Sequence, residues 1–263
     1  MIPKKIHYCW FGGNPLPDLA KKCIESWKKF CPDYEIIEWN ESNFDVNCNA
    51  YVKEAYQAKK WAFVSDVVRL YALVNYGGIY MDADVEVLKP LDSLLTHEAF
   101  SGFESDTAIP TGIMACCKGQ ALFKELLEEY NTAHFIQEDG ELDLTTNVVR
   151  ITNTCLKYGL NLDNSLQTVN GFTLYPKDYF CPKDATTREL RITENSYTIH
   201  HFDGSWLPEV DKLAIKLTIK YRKFMPRKLA GHLAKFNAIR KIHGFKQACK
   251  EFRAWQKRKK VNE

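Results

Sequence analysis

The chain has 263 residues, 45% of them hydrophobic and 13% aromatic, which is enough for one sizeable core, and its formal net charge is only +3. No apolar run reaches the roughly eighteen residues that a membrane span needs, and Met1-Ile2-Pro3-Lys4-Lys5 leads into a strand-like segment without the apolar core of a signal peptide, so a cytoplasmic protein is expected. Nine cysteines are an odd number with no Cys-X-X-Cys pair, and Cys9, Cys23, Cys48 and Cys155 sit among apolar neighbours, which argues for reduced thiols over a disulfide framework.

Lys5 to Phe11 reads as a buried first strand that ends at Gly12-Gly13-Asn14-Pro15. Leu19, Ala20, Cys23, Ile24, Trp27 and Cys31 then recur at helical spacing, and Tyr34 to Trp39 reads as a second strand. A strand, helix, strand unit predicts a parallel sheet. A short helix is expected over Tyr51 to Ala58. A longer one is expected over Trp61 to Asn75, where Phe63, Val64, Val67, Val68, Tyr71 and Val74 form a wide apolar face. Beyond it, Ala99 to Phe103, Gly112 to Cys116, Phe172 to Tyr175 and Tyr197 to His201 read as strands, and Leu122 to Tyr130 and Thr146 to Tyr158 as helices.

The small net charge conceals an asymmetry. Residues 211 to 263 carry 17 Lys or Arg against 3 Asp or Glu, whereas residues 1 to 210 are net acidic. Two units are therefore expected, a catalytic domain over 1–210 and a basic helical extension over 211–263. Helical patterns at Leu213 to Leu217 and Phe236 to Arg240, with cations between, suit an anionic membrane surface or nucleic acid, and equally a solvated helix face.

Gly77-Gly78-Ile79-Tyr80-Met81-Asp82-Ala83-Asp84 is the most informative stretch. The glycines stop the long helix, Ile79 to Met81 supply a short apolar strand, and Asp82 and Asp84, two apart, are expected on one side of an extended backbone. Two carboxylates so placed repel unless a divalent ion, a basic side chain or open water faces them, and a metal site is the expected reading. Asp-X-Asp alone is common; its apolar flanks, resumed at Val85, Val87 and Leu88, set this one apart from a solvated turn.

Asp66 and Arg69, three apart, share one helix face and read as a surface ion pair or as groups facing the same cleft. His200-His201-Phe202-Asp203-Gly204-Ser205-Trp206 follows a strand and offers an imidazole that would complete a carboxylate coordination shell. Trp10 stands at the end of the first strand, where open parallel sheets place ligands, and reads either as a stacking platform for a base or as a core tryptophan.

Ile6-His7-Tyr8-Cys9-Trp10-Phe11-Gly12, Ser65-Asp66-Val67-Val68-Arg69, Tyr76 to Asp84 and His200 to Trp206 occur in the order seen in glycosyltransferase family 32, and the chain resembles its bacterial capsular-polysaccharide members. It is more distantly similar to the yeast initiating mannosyltransferase and the clostridial glucosylating toxins. The resemblance covers residues 2 to 96 and returns over 197 to 208. It implies an α/β fold of the GT-A type, Rossmann-like, with a nucleotide-sugar donor held through Mn2+ or Mg2+, a UDP-sugar ahead of a GDP-sugar. It further implies that Asp84 ligates the metal, that Asp82 holds the ribose or sugar and reaches the metal through water, and that His201 is a late metal ligand. Tyr80 would lie beside the nucleotide, Asp66 and Arg69 would contact the sugar hydroxyls, Trp10 would stack on the base, and Ser205 and Trp206 would cover the diphosphate. Asn147 matches a sugar-contacting position.

The expected activity is transfer of a hexose, with retention, to a glycan or lipid-linked acceptor of the cell surface at the inner face of the plasma membrane, where the basic extension meets anionic lipid; no nucleic acid is expected as a partner. Two alternatives are a glycosyltransferase with a protein acceptor and a non-catalytic membrane- or nucleic-acid-binding module.

Overall fold

The computed structural model describes residues 1–110, 112–204 and 207–252. The chain divides into two compact units, the first comprising Met1–Ala185 and Glu189–Asp203, the second Thr186–Arg188 and the residues from Gly204 onward.

In the first unit the elements run β1 (Lys5–Cys9), α1 (Asp18–Phe30), β2 (Glu35–Trp39), α2 (Ala50–Gln57), α3 (Trp61–Tyr76), β3 (Gly78–Met81) and β4 (Val85–Val87). Then follow β5 (Ala99–Gly102), β6 (Ile113–Cys116), α4 (Ala121–Glu128), α5 (Asn147–Lys157), β7 (Gln167–Val169), β8 (Phe172–Tyr175), α6 (Lys177–Phe180) and β9 (Thr198–His200). The second unit contains α7 (Glu209–Tyr221) and α8 (Arg227–His243). Because the units divide at residue 204, α7 is not split at the expected 210/211 boundary.

Seven strands form one sheet in the order β2-β1-β3-β6-β5-β8-β7. The β1-α1-β2 unit pairs in parallel as expected, and β3 joins the other side of β1 in parallel. The sheet is nevertheless mixed, since β3–β6, β5–β6 and β7–β8 are antiparallel. The α/β class holds, with the parallel character concentrated in the first half of the chain. Strands β3 and β6 are buried on both faces, so they read as unbroken apolar runs. Their alternate residues still go to different cores: Ile79, Met81, Ile113 and Ala115 pack with α1, and Tyr80, Met114 and Cys116 pack with α3.

A second sheet of two strands, β4 and β9, is antiparallel, with Val85 opposite His200. Helix α1 fastens it: Trp27 Nε1 donates to the Val85 carbonyl at 2.7 Å, and Ser26 Oγ accepts from the Val87 N–H at 2.9 Å. The Gly77-Gly78 pair has a backbone reason. Gly78 has φ 109°, and a Cβ there would lie 2.7 Å from the Lys5 carbonyl oxygen, so another residue would push β3 off β1.

The cysteines are free thiols, with Cys48 exposed and not buried as its neighbours suggest. Among the described residues no helix is long and apolar enough to cross a membrane.

Candidate metal and donor site

The site forms where β3 runs out. The Asp82 N–H donates to the Gly112 carbonyl at 2.8 Å, and the Val85 N–H returns to the Asp82 carbonyl at 3.0 Å, closing a tight turn. This corrects the expectation of an extended backbone: the two carboxylates share a side because the chain turns at Ala83-Asp84. The Asp84 carboxylate is fixed by the Asp203 N–H at 2.8 Å, and the His201 N–H donates to the Asp84 carbonyl at 3.0 Å.

The imidazole beside the aspartates is His200, not His201. His200 Nε2 lies 3.4 Å from Asp84 Oδ1 and 4.0 Å from Asp82 Oδ2. His201 Nε2 bonds Glu86 Oε2 at 2.8 Å, and Lys22 reaches the same oxygen at 3.2 Å. Successive residues at a strand end face opposite ways: the pairing of His200 with Val85 puts His200 on the Val85 face, beside Gly112, and leaves His201 on the face of Glu86, while the turn at Ala83-Asp84 brings the aspartates round to His200. Phe202, at φ 55°, turns its ring back onto His200 with centroids 4.0 Å apart. A non-glycine residue in that conformation is strained and is held by its surroundings. Ser205 and Trp206 lie outside the described residues.

One ligand atom each from Asp82, Asp84 and His200 lie within 4.8 Å of one another. Two carboxylate oxygens and an imidazole nitrogen are a donor set suited to manganese or magnesium. Burial by itself would lower the His200 pKa, but Asp84, with Asp82, holds it well above its ordinary value, so in the metal-free protein a protonated imidazole supplies the positive charge that a cation would bring. Burial likewise opposes ionisation of Asp84, yet His200 and the Asp203 N–H draw its pKa down to about 2. His200 Nδ1 is buried without a hydrogen bond, 3.7 Å from Glu104 Oε2. Burial raises the Glu104 pKa. Neither Glu104 nor Gly112 stood out in the sequence; a Cβ on Gly112 would meet Val85 Cγ2 at 2.8 Å and His200 Cγ at 3.1 Å.

Asp66 and Arg69 are not a surface ion pair. The Arg69 side chain is 11% exposed, and its terminal nitrogen lies 3.2 Å from Asp66 Oδ1 and 3.2 Å from Asp82 Oδ1. Its guanidinium covers the Tyr80 ring at 4.6 Å, and the Tyr80 hydroxyl donates to Asp82 Oδ1 at 3.0 Å. Behind Asp66, Asn147 closes a reciprocal pair: its N–H donates to Asp66 Oδ2 at 3.0 Å and its Nδ2 to the Asp66 carbonyl at 3.1 Å. Burial lifts the Asp66 pKa to about 6 despite Arg69, which leaves it ionised at neutral pH. Asn147, Asp66, Arg69 and Tyr80 thus form one network that ends on Asp82.

Trp10 is half-buried, and its Nε1 donates to the Asn14 carbonyl at 2.6 Å. Asn14 also lines an open cavity of about 600 Å3, together with Gly12, Gly13, Glu41, Tyr56, Lys59 and Trp61. This cavity lies at the start of α3.

Residues 17–101, which include Asp66, Arg69, Asp82 and Asp84, match the model of the glycosyltransferase sugar-binding region containing a DXD motif. Over that stretch the chain is similar to the DXD-containing glycosyltransferases. Inositol phosphoceramide mannosyltransferase 3 of Schizosaccharomyces pombe is 30% identical to it over 138 residues, 48% of this chain and 36% of the relative. Inositol phosphoceramide mannosyltransferase 2 of the same yeast is 24% identical over 212 residues, 78% of this chain and 58% of the relative. The chain spans 36% and 58% of the length of those two curated relatives. Among solved structures, a chain titled PaToxG Glycosyltransferase is similar at 21% identity and a TM-score of 0.41, over 48% of this chain and 59% of that one.

Proposed function

We propose that the protein transfers a hexose from a nucleotide sugar to a glycan or lipid-linked glycan in surface polysaccharide synthesis, with retention, using a divalent metal held by Asp82, Asp84 and His200. The reading rests on one observation: two carboxylates and an imidazole converge within 4.8 Å at the end of a buried strand, in a segment of the DXD family. When bound, the cation neutralises negative charge that develops on the leaving diphosphate, so no proton donor is needed there. Arg69, clamped by Asp66, fixes the Asp82 carboxylate and adds a positive charge on the donor side of the cluster. Asn147 holds Asp66 and through it Arg69.

The nucleoside is assigned to the cavity beside Trp10 and Trp61. Trp61 and Arg69 are eight residues apart on α3, about 12 Å along its axis, which is the span over which a nucleoside leads to its diphosphate. Both yeast relatives are named mannosyltransferases, which favours mannose within a hexose panel. The test is hydrolysis of UDP- and GDP-hexoses with manganese and after chelation. One donor is expected to be hydrolysed only with the metal; turnover indifferent to chelation of every donor would sink the reading.

A further inference from the structure

The second unit carries a feature that the donor site does not use. Helices α7 and α8 are joined by a turn, and the sequence through it is Arg222-Lys223-Phe224-Met225-Pro226-Arg227-Lys228, an aromatic and a methionine inside four cations. Phe224 is 81% exposed, and Leu229, in the first turn of α8, is 57% exposed. Lys223, Arg227 and Lys228 are exposed as well, while Arg222 is tied back by a bond from its guanidinium to the Thr186 carbonyl at 3.2 Å. On α8 the apolar packing is done elsewhere, by Ala230, Ala234 and Ala238, which recur every fourth residue and are buried. Phe224 and Leu229 are therefore not needed to hold the two helices together.

The charges at the tip are also unfavourably placed for the isolated protein. Helix α7 begins with Glu209 and Asp211 in its first turn, as the positive end of a helix dipole favours. Helix α8 has no acidic residue there and opens with Arg227 and Lys228. An anionic surface relieves that like-sign crowding, and an exposed phenylalanine ringed by cations matches the boundary between lipid headgroups and acyl chains, where the ring enters the apolar layer and the cations stay with the phosphates.

We propose that the α7–α8 turn is a membrane-docking tip that inserts Phe224, assisted by Leu229, into the interface of an anionic bilayer, with Lys223, Arg227 and Lys228 on the headgroups. A nucleic acid would use the cations but would leave Leu229 without a role. The proposal is independent of the donor site, and its assay contains no nucleotide sugar, so either reading can fail without the other.

The experiment is sedimentation of the full chain with vesicles of phosphatidylcholine and phosphatidylserine in equal parts, against phosphatidylcholine alone. Phe224→Ser is expected to lower partitioning about tenfold or more, Phe224→Trp to restore it, and Lys223→Glu with Lys228→Glu to abolish the preference for phosphatidylserine. All variants should keep wild-type helicity by circular dichroism. Wild-type partitioning of Phe224→Ser would overturn insertion, and tighter binding of a single-stranded RNA than of the anionic vesicles would overturn the choice of partner.

Discussion

Replacing Arg69 by methionine removes the charge and keeps most of the volume, and two carboxylates lose their shared partner. They are not equivalent. The Asp66 side chain is 10% exposed and that of Asp82 is 26% exposed, with the Tyr80 hydroxyl still donating to Asp82. Most of the cost therefore falls on Asp66, whose remaining donor to the carboxylate is the Asn147 N–H. Leaving one member of a buried ion pair unpaired costs about 3–5 kcal/mol; an exposed i,i+3 pair would be worth less than about 1 kcal/mol. With a urea slope of about 3 kcal/mol per molar for a chain of this size, a loss of about 4 kcal/mol moves the midpoint down by about 1.3 M, read by circular dichroism on the metal-free protein. Adding Asp66→Asn removes the buried charge that Arg69 compensated, so the double variant should be more stable than Arg69→Met alone. A single-variant loss below about 1 kcal/mol, or a double variant whose cost equals the sum of the singles, would refute the buried network.

The pH dependence separates two carboxyls. Asp84, drawn down to about 2 from 3.8, contributes about 2 kcal/mol that is fully present above pH 3.8 and lost as pH falls through 2, and Asp84→Ala should remove that acid-side loss in urea titrations. Asp66, raised to about 6, acts in the opposite sense: stability should decline as pH rises from 3.8 to 6 by about 3 kcal/mol, and this slope should vanish in Asp66→Asn. His200→Gln should raise the manganese concentration for half-maximal donor hydrolysis at least about tenfold, whereas His201→Gln should leave it unchanged; the reverse order would restore His201 as the ligand. Gly112→Ala should cost about 1–3 kcal/mol and weaken manganese dependence together with stability, because the added methyl group meets both Val85 and His200; an unaltered melting temperature would show that the turn has room for it.

Local sequence pattern was sufficient wherever one element's own faces decide the outcome. Leu19, Ala20, Cys23, Ile24 and Trp27 announced α1 because a helix repeats its buried face every third or fourth residue, and Gly77-Gly78 announced the end of α3 because those φ values exclude side chains. The Asp82-Ala83-Asp84 pair was legible from its apolar flanks, although the turn that places both carboxylates together was not. What escaped the sequence was every question of which faces meet. Asp66 and Arg69 look like a solvated pair on an isolated helix; they are buried because α3 lies against β1 and β3 and Asn147 closes over them. Glu104 follows β5 with no local mark and reaches the site only through the fold of the sheet. The choice between His200 and His201 depends on the register of β9 on β4, two strands more than a hundred residues apart, and a shift of one residue would exchange the two imidazoles. Composition and short-range periodicity were enough to show which residues carry ligand chemistry and which strand delivers the aspartates. Which imidazole faces them and what charge is buried behind them emerged with the folded chain, because strand register and burial are set by contacts between distant segments.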